Sequence, residues 1–433
     1  MGAAIALILV IVLMLLDVPV AFSFAAMVLV LAAIYGFDMS SLMTTGFWTL
    51  DNVVLMALPL FIMAGYLMQS GGVAESLINF VDSLVGRIRG GLGATLVVTC
   101  GVFGAISGTA TAALAAIGTI MIPSMEERGY PRAYVSALLS ISCLLAILIP
   151  PSITMILYAF VTRQSVAACF LSTVGPGILL IIIMCILNAI FCSRMPNIRV
   201  EPPIRLQAQV KRVGSTMFAA SPALLMPVVI LGGIYGGVFT PTEAAAVAVL
   251  YSIPVGFLIY RGLTLRSFGR ALIDAATTTG VIMIILLFAL VASRLFTMAR
   301  IPHQLTALIV GISDNKYIVL FIVNVFLIFI GMIMDDVSVT VIISPILLPT
   351  MVHIGIHPVH FGAIVGTSVV IGANSPPVAP ILYMACRIGN VKIHEILKPA
   401  TIFMLAGALP VMLVTTYWPD LSLFLPRLLG YVQ

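Results

Sequence analysis

Residues 374–383 read NSPPVAPILY, and they lie in an apolar run, residues 361–385, that is long enough to cross a bilayer. A proline inside a helix removes a backbone hydrogen bond and costs roughly 3 kcal/mol. In lipid no water satisfies the freed backbone groups. The stretch is therefore either a loop of a soluble protein or a membrane helix that is broken at a defined place.

The composition of the chain excludes a soluble protein. Hydrophobic residues make up 62% of the 433 residues and charged residues only 8%, and the mean hydropathy is +1.23. A soluble domain needs more polar surface than this. Apolar segments of roughly 20 residues recur from end to end, separated by short polar joints. The pattern predicts an all-α polytopic membrane protein whose N-terminal apolar run is its first membrane segment.

The double proline has a partner in the first half of the chain. Residues 149–159 read IPPSITMILYA, residues 375–385 read SPPVAPILYMA, and the two proline pairs are 226 positions apart. Upstream, Pro123 matches Pro349 at the same offset. Ordered matches at a constant spacing indicate that one unit has been duplicated.

Each unit has the same predicted order: two spanning helices, a third that leads to an amphipathic segment, a re-entrant hairpin, a broken spanning helix and a final helix. We predict a first repeat at residues 1–192 with a hairpin at about 90–123 and a broken helix at about 133–160, a linker at 193–214, and a second repeat at 215–433 with a hairpin at about 316–350 and a broken helix at about 358–386. Because each unit crosses the membrane an odd number of times, the second repeat is predicted to be inverted.

The basic residues predict which side of the membrane the linker faces. With residues 193–214 in the cytoplasm, 15 of the 20 Lys and Arg residues lie on the cytoplasmic side. The other five lie outside; they are Arg163, Arg294, Arg300, Lys316 and Arg427. This bias follows the positive-inside rule, which predicts a cytoplasmic linker and two external termini.

Inverted repeats with interrupted helices are typical of secondary transporters, in which the breaks present carbonyls and half-helix ends to Na⁺ or to an anion. The tip of the first predicted hairpin reads SGTATA. Ser107, Thr109 and Thr111 supply hydroxyls there, and Gly108 allows the backbone to approach a ligand closely. The same small residues also fit a purely structural interface between helices.

The tip of the second predicted hairpin carries Asp335 and Asp336. A carboxylate deep in the membrane costs at least about 2.5 to 3.5 kcal/mol on insertion scales, so it normally has a task or a partner. Adjacent carboxylates at a helix break suit a cation site, and they equally suit a helix N-cap. The sequence leaves both roles open.

Sequence motifs argue against an enzyme and against ATP-driven transport. The chain has no GxxxxGK[ST] phosphate loop, no HExxH pair, and no GxSG context around Ser107. Its net charge of +5 comes without a basic stripe, so nothing indicates nucleic acid. The six cysteines stand singly in apolar surroundings and are expected to be buried thiols. Transport is then ion-coupled or passive.

Several strings resemble the large membrane subunit, the DctM-type M subunit, of tripartite ATP-independent periplasmic (TRAP) transporters. They are GAISGTATAALAAIGTIMIPSM followed by GYPRAY, the IPPS break, and PILLPTMVHIGIHPVHFG, and the resemblance covers essentially the whole chain. It implies an elevator fold, in which a transport domain of hairpins and broken helices moves against a scaffold domain.

The resemblance also implies the function and the partners. A Na⁺ gradient would drive import of a small organic acid across the bacterial inner membrane: a C4-dicarboxylate, a sialic acid, or a related carboxylate or sulfonate. A periplasmic binding protein (P type) would deliver the acid. A small four-helix membrane subunit (Q type) would be a separate chain, Na⁺ the coupling ion, and no organic cofactor is implied. The nearest alternative is a sodium- or proton-coupled carboxylate symporter that works without a binding protein.

Carried onto this sequence, the resemblance implies three groups of site residues and no catalytic residue. The first sodium site would comprise Ser107, Gly108, Thr109, Ile149 and Pro150, and the second Asp335, Asp336, Gly372 and Asn374. The substrate would lie between the two tips, against Thr109, Ala110, Thr111, Ser152, Ser338, Ser375, Pro376 and Pro377.

Overall fold

The computed structural model describes residues 2–16, 18–199, 205–313, 315–375 and 379–432, and in this part of the chain every regular element is a helix. In the first half the helices are α1 (Gly2–Leu15), α2 (Val20–Tyr35), α3 (Met39–Leu50), α4 (Ala57–Ser70), α5 (Val73–Val85), α6 (Gly91–Ser107), α7 (Ala110–Glu127), α8 (Arg132–Ser142), α9 (Leu145–Leu148), α10 (Ile153–Thr162) and α11 (Val166–Ser193). A 3₁₀ turn at Val53–Met56 precedes α4.

In the second half the helices are α12 (Leu206–Tyr235), α13 (Pro241–Pro254), α14 (Leu265–Met298), α15 (Ile301–Ile312), α16 (Lys316–Gly331), α17 (Asp336–His353), α18 (Pro358–Gly372), α19 (Pro380–Gly389), α20 (Ile393–Phe403), α21 (Leu409–Tyr417) and α22 (Asp420–Leu428). Two π-helical turns, Val255–Ile259 and Met404–Ala408, extend α13 and join α20 to α21.

Seven helical segments of the described chain are long and apolar enough to cross a membrane. They are Val53–Ser70, Val166–Ser193, Leu206–Tyr235, Pro241–Ile259, Leu265–Met298, Asp336–His353 and Ile393–Tyr417. An eighth crossing forms if α8 and α9 count with α10, which is bent from them by 44° at the break. The chain is therefore a multi-pass membrane protein, as its composition predicts.

The predicted hairpin segments are pairs of helices joined by short tips. Residues 108–109 connect α6 to α7, and residues 332–335 connect α16 to α17. The 16 residues of α16 rise about 24 Å, less than the roughly 30 Å of the hydrocarbon core. The returning helices α7 and α17 run past Pro123 and Pro349, which both lie inside them.

Each tip ends one helix and starts the next in a comparable way. Gly108 has a φ of +65°, which stops α6 without a Cβ penalty. Thr109 then caps α7 by accepting a hydrogen bond from the Ala112 N–H, and Asp335 caps α17 in the same way from Ser338. The two caps are 226 positions apart, the offset of the proline pairs.

The two halves interdigitate through equivalent pairs of helices. In the first half α10, the helix after the break, packs against α17 of the second hairpin; conversely α19 packs against α7 of the first. Tyr158 on α10 reinforces the contact between halves, because its hydroxyl donates to the Pro358 carbonyl at 2.6 Å. The tips and breaks of both halves therefore meet in one region.

Candidate functional site

The first tip lies directly against the first break. The Gly108 carbonyl accepts a hydrogen bond from the Ile153 N–H at 3.4 Å, and a Cβ on Gly108 would stand 3.0 Å from the Pro151 carbonyl oxygen. Gly108 is thus required both by its φ and by the approach of the break. The Ser107 hydroxyl is buried and lies 3.4 Å from the Thr109 carbonyl, to which it donates.

The first break leaves polar groups for a ligand. The Ile149 N–H still closes the last turn of α9 onto Leu145, but Pro150 and Pro151 have no N–H to continue it. The Ser152 hydroxyl that follows is fully buried and makes no hydrogen bond within the described residues. An unsatisfied buried hydroxyl at a helix break is a candidate ligand for a cation or a carboxylate.

The two carboxylates of the second tip have different partners. Asp335 caps α17 and accepts from the Ser338 hydroxyl at 2.5 Å. Asp336 accepts a 2.5 Å hydrogen bond from the Thr154 hydroxyl, on the first turn of α10. The second tip is therefore joined to the first break, across the boundary between the halves.

The second break also holds unsatisfied polar groups. Both amide atoms of Asn374 are buried and have no hydrogen-bond partner in the described part of the chain. Ser375 donates to the Ile371 carbonyl and to the Met404 sulfur. Gly372 lies against the end of α16, since a Cβ there would stand 2.6 Å from the Gly331 backbone.

The structure thus brings some of the predicted site residues together and leaves others apart. Around the first tip, Ala110 is buried, whereas Thr111 is exposed. No described hydrogen bond connects Asp335 or Asp336 to Asn374. Pro376 and Pro377, two of the predicted substrate contacts, lie outside the described residues.

Sequence reasoning missed Thr154 as a member of the site. Its hydroxyl donates a hydrogen bond to Asp336, in the other half of the chain. The position of Thr154 could have indicated its role. It is a polar residue in the first turn after a membrane break, and such breaks are where ligands bind in transporters.

Comparison with known proteins identifies the family. The family described as the DctM component of the tripartite ATP-independent periplasmic transporter matches residues 7–421. The chain belongs to the DctM family. Its fold of paired hairpins and breaks is therefore that of a transporter subunit, and the chain is not an enzyme.

Characterised relatives of this DctM-family chain are transport proteins. It is 34% identical over 384 residues to the C4-dicarboxylate TRAP transporter large permease protein DctM of Pseudomonas aeruginosa, covering 89% of this chain and 88% of the relative. It is also 34% identical over 378 residues to the isethionate TRAP transporter permease protein DctMQ of Oleidesulfovibrio alaskensis, covering 87% of this chain but 59% of that longer protein.

A solved structure shares the fold. The YdaH transporter of Alcanivorax borkumensis superposes with a TM-score of 0.62 over 87% of this DctM-family chain and 86% of its own, at 15% identity. At that identity the likeness concerns the fold alone.

Proposed function

We propose that this chain is the membrane permease of a Na⁺-coupled importer of a small organic acid, which a periplasmic binding protein delivers. The observation that carries the proposal is the meeting of tips and breaks from both halves, with unsatisfied buried polar atoms at Ser152 and Asn374. In a chain of the DctM family, such groups at membrane depth support a site for a coupling ion and a carboxylate.

The chemistry of the tips suits Na⁺ as a transported ion. Na⁺ is coordinated by oxygen atoms, and freed carbonyls at helix breaks are a recurrent source of them. The first break offers the Ile149 and Pro150 carbonyls and the buried Ser152 hydroxyl. The second offers the Asn374 amide oxygen and the Gly372 carbonyl, which also accepts from the Ser375 N–H at 2.8 Å. The second tip adds the carboxylates of Asp335 and Asp336 to this set.

The substrate is proposed to lie between the tips. The buried Ser152 hydroxyl and the N-terminal turns of α7 and α17 offer donors to a carboxylate or sulfonate. Relatives named for a C4-dicarboxylate and for isethionate support a small organic anion as the substrate class. Sialic acids belong to the same chemical class.

An elevator movement is proposed at the seam between α4 and the first hairpin. At this seam a Cβ on Gly65 of α4 would stand 2.9 Å from the Ser107 carbonyl oxygen, so the two backbones meet without a side chain between them. A cavity of about 340 Å³ opens along the same seam, between α4 and α5 on one side and α7 on the other. A glycine contact and a cavity suit sliding of a transport domain over a scaffold.

The proposed partners are a small membrane subunit and a periplasmic binding protein. The longer relative named DctMQ supports the former, since this chain corresponds to only 59% of it. The chain is proposed to lie in the bacterial inner membrane, with residues 193–214 cytoplasmic and both termini periplasmic.

Thermal unfolding of the purified chain in NaCl against choline chloride tests the sodium site. A ligand that binds only the folded state adds about 2.7 kcal/mol at a hundredfold excess over Kd. We expect a saturable Na⁺-specific rise in Tm that Asp336→Asn abolishes. Asp335→Asn keeps an N-cap residue for α17 but removes the negative charge. The Tm response of this variant to Na⁺ therefore reports on the charge of Asp335 and not on its capping role.

Asp274→Asn is the matched control, because Asp274 is an exposed carboxylate on α14 and belongs to neither tip. Equal Tm values in both salts would refute sodium coupling. Uptake of succinate and isethionate into proteoliposomes, with and without the binding protein, then tests the alternative. Uptake at full rate without that protein would favour the independent symporter.

A further inference from the structure

A cavity of about 1040 Å³ lies away from the hairpin tips. Its walls come from α3, from the connection between α10 and α11, from the start of α13, and from the C-terminal part of α14. Five basic residues are predicted to lie on the external side of the membrane. Two of them, Arg163 and Arg294, line this cavity. The cavity therefore opens at the end of the molecule that the positive-inside rule places in the periplasm.

The lining of this cavity is suited to an anion. Arg163 and Arg294 contribute two positive charges, and no Asp or Glu is present among its described lining residues. Gln164, Ser165 and Ser293 add neutral polar groups. A cleft with charge of one sign and low-dielectric walls concentrates the field and raises the local concentration of the opposite ion.

The N-terminus of a long helix adds to the positive potential. Val166 and Ala167, the first residues of the 28-residue α11, line the cavity. The N–H groups of a first helical turn have no acceptor within the helix and carry the positive end of its dipole. Ser165 caps one of them by accepting from the Ala168 N–H, and the others remain available.

Both guanidinium groups are free to receive a ligand. Arg163 and Arg294 are exposed, and neither guanidinium group forms a hydrogen bond or an ion pair with any other described residue. A planar guanidinium matches the two oxygens of a carboxylate, so two unpaired arginines in one cleft are a carboxylate-binding arrangement.

The backbone at Arg163 shows that an arginine is not the residue this turn prefers. Arg163 follows α10 with a φ of 56°, a left-handed conformation that favours glycine or asparagine. The corresponding position in the second half, 227 residues later, is Asn390, with a φ of 48°. The first half therefore has an arginine where the second half has a residue that tolerates this conformation, and Arg163→Asn fits the turn.

We propose that this cavity is an external capture site, in which Arg163 and Arg294 bind the carboxylate or sulfonate group of a small organic anion before it reaches the tips. The onward path to the tips rests on the proposed function, whereas the binding of the anion does not. The cavity is distinct from the predicted sodium and substrate residues, none of which lines it.

The local potential can be measured with a cysteine at Thr49, an exposed lining residue on α3. Cys185 is replaced by Ser, because it is the most exposed cysteine of the described chain. The readout is a ratio of two rates: the rate at which an anionic methanethiosulfonate modifies this cysteine, divided by the rate for a cationic methanethiosulfonate. We expect Arg163→Asn combined with Arg294→Gln to lower this ratio by about tenfold, the low end for focused fields.

Arg300→Asn is the matched control. Arg300 is also exposed, also predicted to lie outside, and also left-handed with a φ of 55°, but it does not line the cavity. We expect this variant to leave the ratio unchanged. Since asparagine tolerates the left-handed turn, Arg163→Asn should fold with a Tm at least equal to that of the parent.

Binding is tested by protection of the same cysteine in phospholipid-free detergent micelles. Potassium succinate or potassium isethionate, compared with KCl at equal ionic strength, should slow the anionic reagent by the factor 1 + [L]/Kd. The protection should disappear in the arginine double variant. Absence of protection by both anions would overturn the proposal, as would protection by phosphatidylglycerol vesicles alone, which would assign the site to a lipid headgroup. Neither result would alter the sodium-dependent Tm shift, so the two proposals fail separately.

Discussion

At the scale of single residues, the adjacent carboxylates of Asp335 and Asp336 have different roles, because they have different hydrogen-bond partners. Asp335 is used locally, because it caps the helix it precedes and binds Ser338. Asp336 points instead to Thr154 in the other half of the chain. The sequence showed a carboxylate pair suited to a cation or to a cap; the contacts show that one residue caps, and that the second joins the two halves.

Thr154→Val tests this junction. The substitution keeps the shape of the side chain and removes the hydroxyl that donates to Asp336, so a carboxylate loses a hydrogen bond at membrane depth. We expect Tm to fall by an amount corresponding to about 1 to 3 kcal/mol, together with a weaker response of Tm to Na⁺.

Thr340→Val is the matched control for Thr154→Val. The Thr340 hydroxyl on α17 is also buried, yet it has no hydrogen-bond partner in the described chain. Its removal should therefore leave Tm unchanged or slightly raised. If the two substitutions had the same effect, the bond to Asp336 would contribute nothing to stability.

At the scale of helices, close backbone contacts position the tips against the breaks. A Cβ on Gly104 of α6 would stand 2.5 Å from the Ala146 Cα of α9, and one on Gly372 of α18 would stand 2.6 Å from the Gly331 Cα of α16. Gly331 and Gly372 follow Gly104 and Ala146 by 227 and 226 positions. The duplicated unit therefore repeats a close helix contact as well as its prolines.

Gly104→Ala should be strongly destabilising. The new methyl group meets backbone atoms, which cannot rotate away, so α6 and α9 must separate at a cost of about 1 to 3 kcal/mol. Gly280→Ala in α14 meets nothing within 4 Å and should gain about 0.5 to 1 kcal/mol from helix propensity. Thermal unfolding of both variants measures the difference, and equal Tm values would contradict the close contact.

His357, which precedes α18, gives an expected pH dependence. Its Nδ1 accepts from the Val359 N–H at 3.1 Å and so must be unprotonated. Burial, aided by the positive charge of Arg427, lowers the pKa of His357 below its ordinary value of 6.5. Below about pH 6.5 the unfolded chain binds a proton at His357 more readily than the folded chain does. The stability that the neutral His357 ring contributes is therefore complete above about pH 6.5, and it falls as the pH drops toward the pKa of His357 in the folded state.

His357→Asn keeps a capping acceptor and removes the titration. We expect the loss of Tm between pH 7.5 and pH 5.5 to be smaller in this variant than in the parent chain. The neighbouring His360, bound to Ser422, remains in both proteins. If the variant lost as much Tm between pH 7.5 and pH 5.5 as the parent chain, His357 would not titrate in this range.

At the scale of the whole molecule, the two halves are interlocked rather than side by side. The helix after each break packs on the hairpin of the other half. Consequently a change at one tip reaches the other break through packed helices. By contrast, α4 meets the first hairpin at the Gly65 contact and is held to α14 by the Tyr66–Thr278 hydrogen bond.

A disulfide across this seam tests the proposed sliding movement. Gly65→Cys with Ser107→Cys, in the Cys185→Ser background, places two thiols where the backbones nearly touch. Oxidation should stop Na⁺-dependent uptake into proteoliposomes and reduction should restore it. The Ser107→Cys and Gly65→Cys single variants, each oxidised alone, control for the change at the tip and for the Cβ placed 2.9 Å from the Ser107 carbonyl oxygen. Uptake that continues in the fully cross-linked protein would contradict an elevator movement at this seam.

The membrane class and the all-helical fold can be read from the sequence, because lipid requires apolar helical segments and hydropathy shows them along the chain. The duplicated unit can be read as well, because the proline pairs recur at a constant offset. Which groups meet depends on tertiary packing. The bond between Thr154 and Asp336, the glycine contact of Gly65, and the arginine cavity join residues far apart in the chain. Their partners depend on how helices from both halves pack, and neither periodicity nor composition records that packing.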